Sequence, residues 1–187
     1  MVKDFISERY SPFAFSDQAV PEDELTALFE AARWAPSSFN EQPWRFVYAR
    51  NDGGQDFQIM VSILNETNQE WARHAPILGI SIAKTTFTLN NKPNRFALHD
   101  TGLAMGGLLA QATAMGLKVH QMGGYSMELA RKRLAIPEGF EPVAMFVIGF
   151  PGDPGWLTQE LRQKSEEPRI RRPLNQTVFI NRFDSQA

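Results

Sequence analysis

The sequence predicts an α+β fold with a central sheet, and three observations carry that reading. Leu25, Leu28, Phe29 and Ala32 repeat at i, i+3, i+4 and i+7, the period of a helix with one apolar side. Two runs, WRFVYAR from Trp44 and VAMFVIGF from Val143, have the length and β-rich composition of strands. Helical and strand patterns are mixed along the chain without the strict βαβ regularity of a parallel sheet. The 187 residues suit one domain over 1–187, long enough to bury a sizeable core.

The elements follow in order. Val2, Phe5 and Ile6 have helical spacing and predict a short helix before Arg9. RYSPFAFSDQAV then leads into a helix start. Pro21 suits the first helical position, and Glu22, Asp23 and Glu24 complement the positive helix end. That helix stops near Trp34, because the residue before Pro36 is pushed out of helical geometry. Residues 36–43, PSSFNEQP, form a polar loop before the first strand, and the turn 51–54 (NDGG) follows it. A second helix covers 57–64. The segment 65–76, NETNQEWARHAP, reads as too polar and broken for a core element, and 77–83 as an apolar strand. A long helix begins around Arg95 and runs to about Met115, where Gly116 stops it. Residues 117–121 are extended, Ser126 caps a short helix to Leu134, VAMFVIGF is a fully buried strand, and 157–164 form a last helix. The tail from Pro168 carries RIRRP and an apolar patch, Val178, Phe179 and Ile180.

Composition removes several chemistries. Without cysteine there is no disulfide framework, thiol nucleophile, Cys-ligated zinc or iron–sulfur centre. A formal net charge of −2 gives no global pull toward nucleic acid or a membrane surface. The longest uncharged stretch, 101–117, is short of the roughly 18 residues of a spanning helix and carries four glycines. MVKDFISERY lacks the apolar core of a signal peptide, so a cytoplasmic protein is expected. His74, His99 and His120 are far apart and lack a second ligand at i+3 or i+4, so no metal is expected. There is no G-x-S-x-G elbow, phosphate-binding P-loop or dinucleotide fingerprint; GLAMGG lies inside a helical pattern. Its small residues allow close approach of another helix or a flat ligand.

Three polar clusters remain: Arg9, Tyr10 and Ser11; Ser37, Ser38 and Asn40; and RIRRP at 169–173. Arginine forks and serine hydroxyls together suit a phosphate monoester. Taken singly, the serines read rather as helix caps and the arginines as a solvated basic tail. Glu166 and Glu167 dilute RIRRP as a nucleic-acid patch, and no aromatic residues are interleaved.

The runs RYSPFAF, AARWAPSSFNEQPWRF, NQEWARHAP, DTGLAMGGLLAQATAMGL, HQMGGY and VIGFP stand in this order over roughly 5–179. Together they resemble the nitroreductase family of flavin enzymes. The resemblance implies FMN at the interface of an intertwined homodimer, around a central mixed, mainly antiparallel sheet flanked by helices. It implies that Arg9 and Ser11, with Tyr10 between them, hold the FMN phosphate together with Arg169 and Arg171. Pro36, Ser37, Ser38, Phe39 and Asn40 would lie against the flavin from the partner subunit. Asn68 and Gln69 would sit at the flavin edge, and the main chain of Met122, Gly123 and Gly124 would face N5. Phe13 stands where many members carry a cation near the N1–O2 edge, and Trp71 aligns with a second such lysine. Phe13 thus has two readings: an uncharged neighbour of that edge, or a core residue.

The implied activity is hydride transfer from NADH or NADPH through FMN N5 to a flat electrophile such as a nitroaromatic or quinone. No side chain need act as general acid or base, and no protein residue is assigned a catalytic role. Two alternatives stand beside it: a flavin-binding sensor or carrier module without turnover, and a specialised flavin-fragmenting or dehalogenating relative.

Overall fold

The computed structural model describes residues 2–183. Four strands, β1 (Trp44–Arg50), β2 (Ile77–Lys84), β3 (Lys118–Met122) and β4 (Phe140–Gly149), form one sheet in the order β1-β2-β4-β3. All three pairings are antiparallel, so the described chain supplies no parallel component to the expected mixed sheet.

The sheet is central because β2 and β4 bury both faces. Side chains alternate across a strand. Met145 and Val147 of β4 therefore join one core, with Leu78, Ile80 and Ile82 of β2, while Phe146 and Ile148 join the other. Gly79 is required here: a Cβ on it would lie 2.5 Å from the Phe146 ring. The first core is covered by α3 (Gln55–Ile63), α4 (Glu66–Ala72) and α6 (Met127–Arg133). The second is covered by α2 (Glu22–Arg33) and α5 (Ala97–Ala114). A helix of eight residues, α7 (Gln159–Glu166), adds Leu161 to the first core. No helix among the described residues is long and apolar enough to cross a membrane.

Three expectations need correction. Residues 65–76 do supply a core element, α4. Asn65 caps it by accepting the Asn68 N–H at 3.0 Å, and its C-terminal end buries Trp71 and Ala72. One buried corner on a single short turn leaves no periodic apolar signal. Pro21 is the N-cap rather than the first helical residue, with extended ψ of 149° and its carbonyl accepting the Leu25 N–H. The long helix starts at Ala97, after Asn94 accepts the Phe96 N–H through its side chain. The N-terminal helix α1 (Asp4–Ser7) exists, yet buries none of its residues within this chain.

The glycines of α5 divide by face. Gly107 meets α2, where an added Cβ would lie 2.8 Å from the Ala31 carbonyl oxygen; Gly102 and Gly106 face open space. Because both partners at Gly107 are backbone, neither helix can give way by rotating a side chain. Gly107→Ala should cost about 1–3 kcal/mol of stability, seen as a lower urea midpoint at unchanged slope.

Candidate functional site

The two ends of the chain meet at a cationic cluster. The segment after α1 passes the end of β4, where Phe15 bridges Pro151 and Gly152 N–H donates to the Ala14 carbonyl. That run presents Arg9, whose guanidinium donates to the Ser11 hydroxyl at 3.1 Å. From the tail, Arg169 donates to the carbonyls of Ser7, at 2.6 Å, and Arg9. Arg171 lines the same cleft of about 390 Å³, with Tyr10, Ser11 and Gly152. Burial lowers the Arg9 pKa, and the charges of Arg169 and Arg171 lower it further. Lys118, whose ammonium lies 4.9 Å over the Tyr10 ring, is also pushed down. Burial is its main cause; Glu8 opposes it, while Arg169 and Arg9 add to it. Among the described residues no carboxylate lies within 4 Å of Arg9, Arg169 or Arg171. Glu166 and Glu167 line the same cleft beyond ion-pair distance, and like charges held this close favour an anion between them.

A second group forms where β3 ends. The Gly124 carbonyl accepts from the Asn68 side-chain amide and the Asn65 N–H, both at 3.0 Å. A Cβ on Gly124 would lie 2.6 Å from the amide nitrogens of Asn65 and Asn68, whereas Gly123 has nothing within 4 Å of such a Cβ. Gln69 is fixed by its bond to the Leu64 carbonyl, and Met122 turns its side chain into the core. Asn68, Gln69, Met122, Gly123 and Gly124 are thus one structural unit with the Gly123 main chain open.

Between α4, β3 and the N-terminal run lie three rings. Phe13 packs edge-on to Trp71 (5.2 Å between centroids) and His120 (4.8 Å), and Trp71 lies 4.6 Å from His120. Phe13 is half-buried against the first core, as the core reading of it expects. His120 Nδ1 is 2.8 Å from the Pro12 carbonyl, which can only accept, so Nδ1 carries the hydrogen. Burial lowers the His120 pKa; the Pro12 bond opposes this and Arg9 reinforces it. Trp71 Nε1 is buried without a partner. Sequence reasoning set His120 aside as an isolated histidine. Its place two residues before Met122 on one strand was the available signal.

The loop 36–43 stands apart from these groups within one chain; its cleft is shared with Phe96, His99, Asp100 and Leu103. Ser37 stands at the N-cap of a single 3-10 turn, Ser38–Asn40, but its side chain does not cap it. Ser38 N–H donates to the buried Asp100 carboxylate at 2.9 Å, and the Ser37 hydroxyl accepts the Gln42 N–H at 3.0 Å. Phe39, Asn40 and Gln42 all have left-handed φ, at 54°, 54° and 51°. Such conformations cost non-glycine residues about 1–3 kcal/mol each and persist only when the surroundings enforce them. Glu41 does so: its carboxylate accepts from the Thr88 N–H and hydroxyl and from Lys84. The Thr88 hydroxyl is the main reason its pKa falls, against the effect of burial.

Comparison with known proteins bears on this geometry. The sequence profile of the Nitroreductase family matches residues 6–150. The chain belongs to the nitroreductase family. A solved structure of an oxidoreductase containing FMN superposes with a TM-score of 0.92 at 36% identity, over 98% of this chain and 93% of that one. A protein of Methanothermobacter thermautotrophicus, bearing an NADH dehydrogenase/NAD(P)H nitroreductase name, is 27% identical over 158 residues, 81% of this chain and 78% of its own. A Desulfovibrio desulfuricans protein solved in complex with FMN shares the fold (TM-score 0.74, 22% identity, 97% of this chain and 96% of that one).

For this member of the family, the lowered His120 pKa predicts a pH-dependent stability. Its folded pKa lies below the ordinary 6.5, so the unfolded chain binds the extra proton. Wild-type stability from this group is complete above the unfolded value and falls as pH drops toward the folded one. His120→Gln removes the titration. Its stability difference from wild type should shrink between pH 8 and pH 5 in urea unfolding.

Proposed function

We propose that this chain is a homodimeric FMN oxidoreductase that takes hydride from NADH or NADPH and reduces a flat electrophile such as a nitroaromatic or quinone. The observation that carries the reading is the cluster of Arg9, Arg169 and Arg171, none ion-paired among the described residues, with the Ser11 hydroxyl. A phosphate monoester answers it in charge and in hydrogen bonding. The Gly123 main chain, with nothing within 4 Å of a Cβ built on it, leaves room for a planar ring joined to that phosphate. FMN, when bound, supplies hydride acceptance and release at N5.

The protein's part is to bind, orient and exclude. Arg9, Ser11, Arg169 and Arg171 hold the phosphate, with Tyr10 beside them. Asn68 and Gln69, fixed by the Gly124 and Leu64 carbonyls, border the ring edge. Met122, Gly123 and Gly124 give it a backbone floor. Pro36, Ser37, Ser38, Phe39 and Asn40 close the site from the second protomer. Phe13, packed on the first core, and Trp71, buried in it, bring no formal charge toward the N1–O2 edge, where a lysine would stabilise reduced flavin more.

Exposed apolar surface supports the dimer. Gly102 and Gly106 leave one face of α5 open, Val2 and Ile6 of the N-terminal segment are uncovered, and so are Ile170, Leu174, Val178 and Ile180. A second copy would be an economical cover for these exposed apolar residues.

The missing positive charge at positions 13 and 71 also favours one other reading, a flavin-binding module without turnover. Anaerobic mixing with NADH or NADPH separates the two. The enzyme bleaches its yellow flavin within seconds, and the module stays yellow.

Charge-assisted contacts contribute about 1.5–3 kcal/mol each, so Arg169→Ala should weaken FMN binding about tenfold or more. Riboflavin, which lacks the phosphate, should bind poorly and barely respond. FMN affinity unmoved in both Arg9→Ala and Arg169→Ala would remove the phosphate assignment. Gly106→Leu should turn the dimer into a monomer and release FMN with it, by sedimentation and absorbance. A monomer that keeps its flavin would contradict the shared site.

A further inference from the structure

We propose that His120 is the redox-linked proton acceptor of the flavin site: its Nε2 is bare beside oxidised flavin and takes a proton from solvent when the flavin is reduced. This rests on the reading above, in which FMN spans from the Arg9 cluster to the Gly123 main chain. The strand fixes the position. Side chains alternate along β3, so Lys118, His120 and Met122 project from one face, in register with Gly149, Val147 and Met145. The Lys118 ammonium lies over Tyr10 of the anion cleft, and Met122 leads into Gly123. His120 stands between them, two residues or about 7 Å along the strand from each.

The contacts of the imidazole leave one nitrogen available. Nδ1 donates its hydrogen to the Pro12 carbonyl at 2.8 Å, and Nε2 makes no hydrogen bond among the described residues. Trp71 at 4.6 Å and Phe13 at 4.8 Å hold the ring, both within the distance at which an aromatic ring attracts a cation. The protein supplies no counter-charge: among the described residues no carboxylate lies within 4 Å of His120. Arg9 faces it from the N-terminal run and Lys118 stands beside it on β3, both positive. From β4 it meets apolar Val147, and from α4 Trp71; Glu66, Glu70 and Arg73 line a different cleft. Burial holds its pKa down, against the Pro12 bond and with the help of Arg9. An imidazolium here therefore needs an anion from outside the chain. The guanidinium groups answer the phosphate. Charge added to the ring meets no fixed cation at positions 13 and 71, and His120 is the titratable side chain packed against both. For each electron pair accepted by the flavin, solvent gives up one proton and Nε2 binds it.

The test follows the imidazole nitrogens of histidine-labelled holoprotein by nitrogen-15 NMR near neutral pH, oxidised and after anaerobic reduction with dithionite. His74→Gln and His99→Gln variants identify the His120 signals. His120 should be the neutral Nδ1–H tautomer in the oxidised protein and the imidazolium in the reduced one, a gain in proton affinity of about tenfold or more. The pH dependence of the flavin midpoint potential then counts protons. His120→Asn, whose amide takes the place of Nδ1 on the Pro12 carbonyl, should bind one proton fewer per reduction than wild type. A neutral His120 in both states, or an imidazolium already present beside oxidised flavin, overturns the proposal. So does an equal proton count in wild type and His120→Asn, which would put the second proton on the flavin itself. If His120→Asn loses its flavin, the wild-type NMR result decides alone. A wild-type protein that takes up no FMN overturns the underlying functional reading instead.

Discussion

The bonds from Arg169 to the carbonyls of Ser7 and Arg9 are the constraint on which the proposed site depends. They join residues 162 and 160 positions apart in sequence and bring the basic tail onto the N-terminal arginine. The result is electrostatically unfavourable by itself: Arg9 is partly desolvated and faces two further guanidinium groups with no carboxylate in ion-pairing reach among the described residues. Main-chain carbonyls supply hydrogen bonds but no formal negative charge. A dianionic phosphate would reverse the sign of the balance, since every cation in the cluster then gains a partner.

From that anchor the rest of the site follows a line through the fold. Phe13, Trp71 and His120 fill the space behind it, and the end of β3 supplies the open Gly123 main chain held by Asn68 through Gly124. The strained loop at Ser38–Asn40 belongs to a different surface, at the start of α5. Two surfaces of one protomer that are separate in the chain become one site only if a second copy brings its loop across. The open face of α5, with Gly102 and Gly106, is the place where the fold allows such an approach.

How much of this was legible in the sequence depended on whether the signal was local. Helix α2 declared itself through the spacing of Leu25, Leu28 and Ala32, and β4 through an unbroken apolar run. Gly116 marked the end of α5 with the positive φ of 79° that a helix stop requires. Helix α4 was missed because its apolar contribution is confined to Trp71 and Ala72, and a cap at Asn65 looks like any polar loop residue. The clustering of Arg9 with Arg169 was not derivable from spacing and came from the family resemblance. The clamps at Glu41 and Asp100 were invisible for the same reason: each bonds a residue far away in sequence, 47 and 62 positions distant. His120 shows the limit from the other side. A lone histidine suggests no metal, yet its burial between Phe13 and Trp71 is a property of strand register and tertiary contact.

The most direct test of the account is an electron-density map of the protein crystallised with FMN. The account predicts a phosphate within ion-pair distance of the Arg9, Arg169 and Arg171 guanidinium groups, a ring against the Gly123–Gly124 main chain, and the 37–40 loop of a second protomer over that ring. A phosphate bound away from these arginines, or a flavin enclosed by one protomer alone, would contradict it.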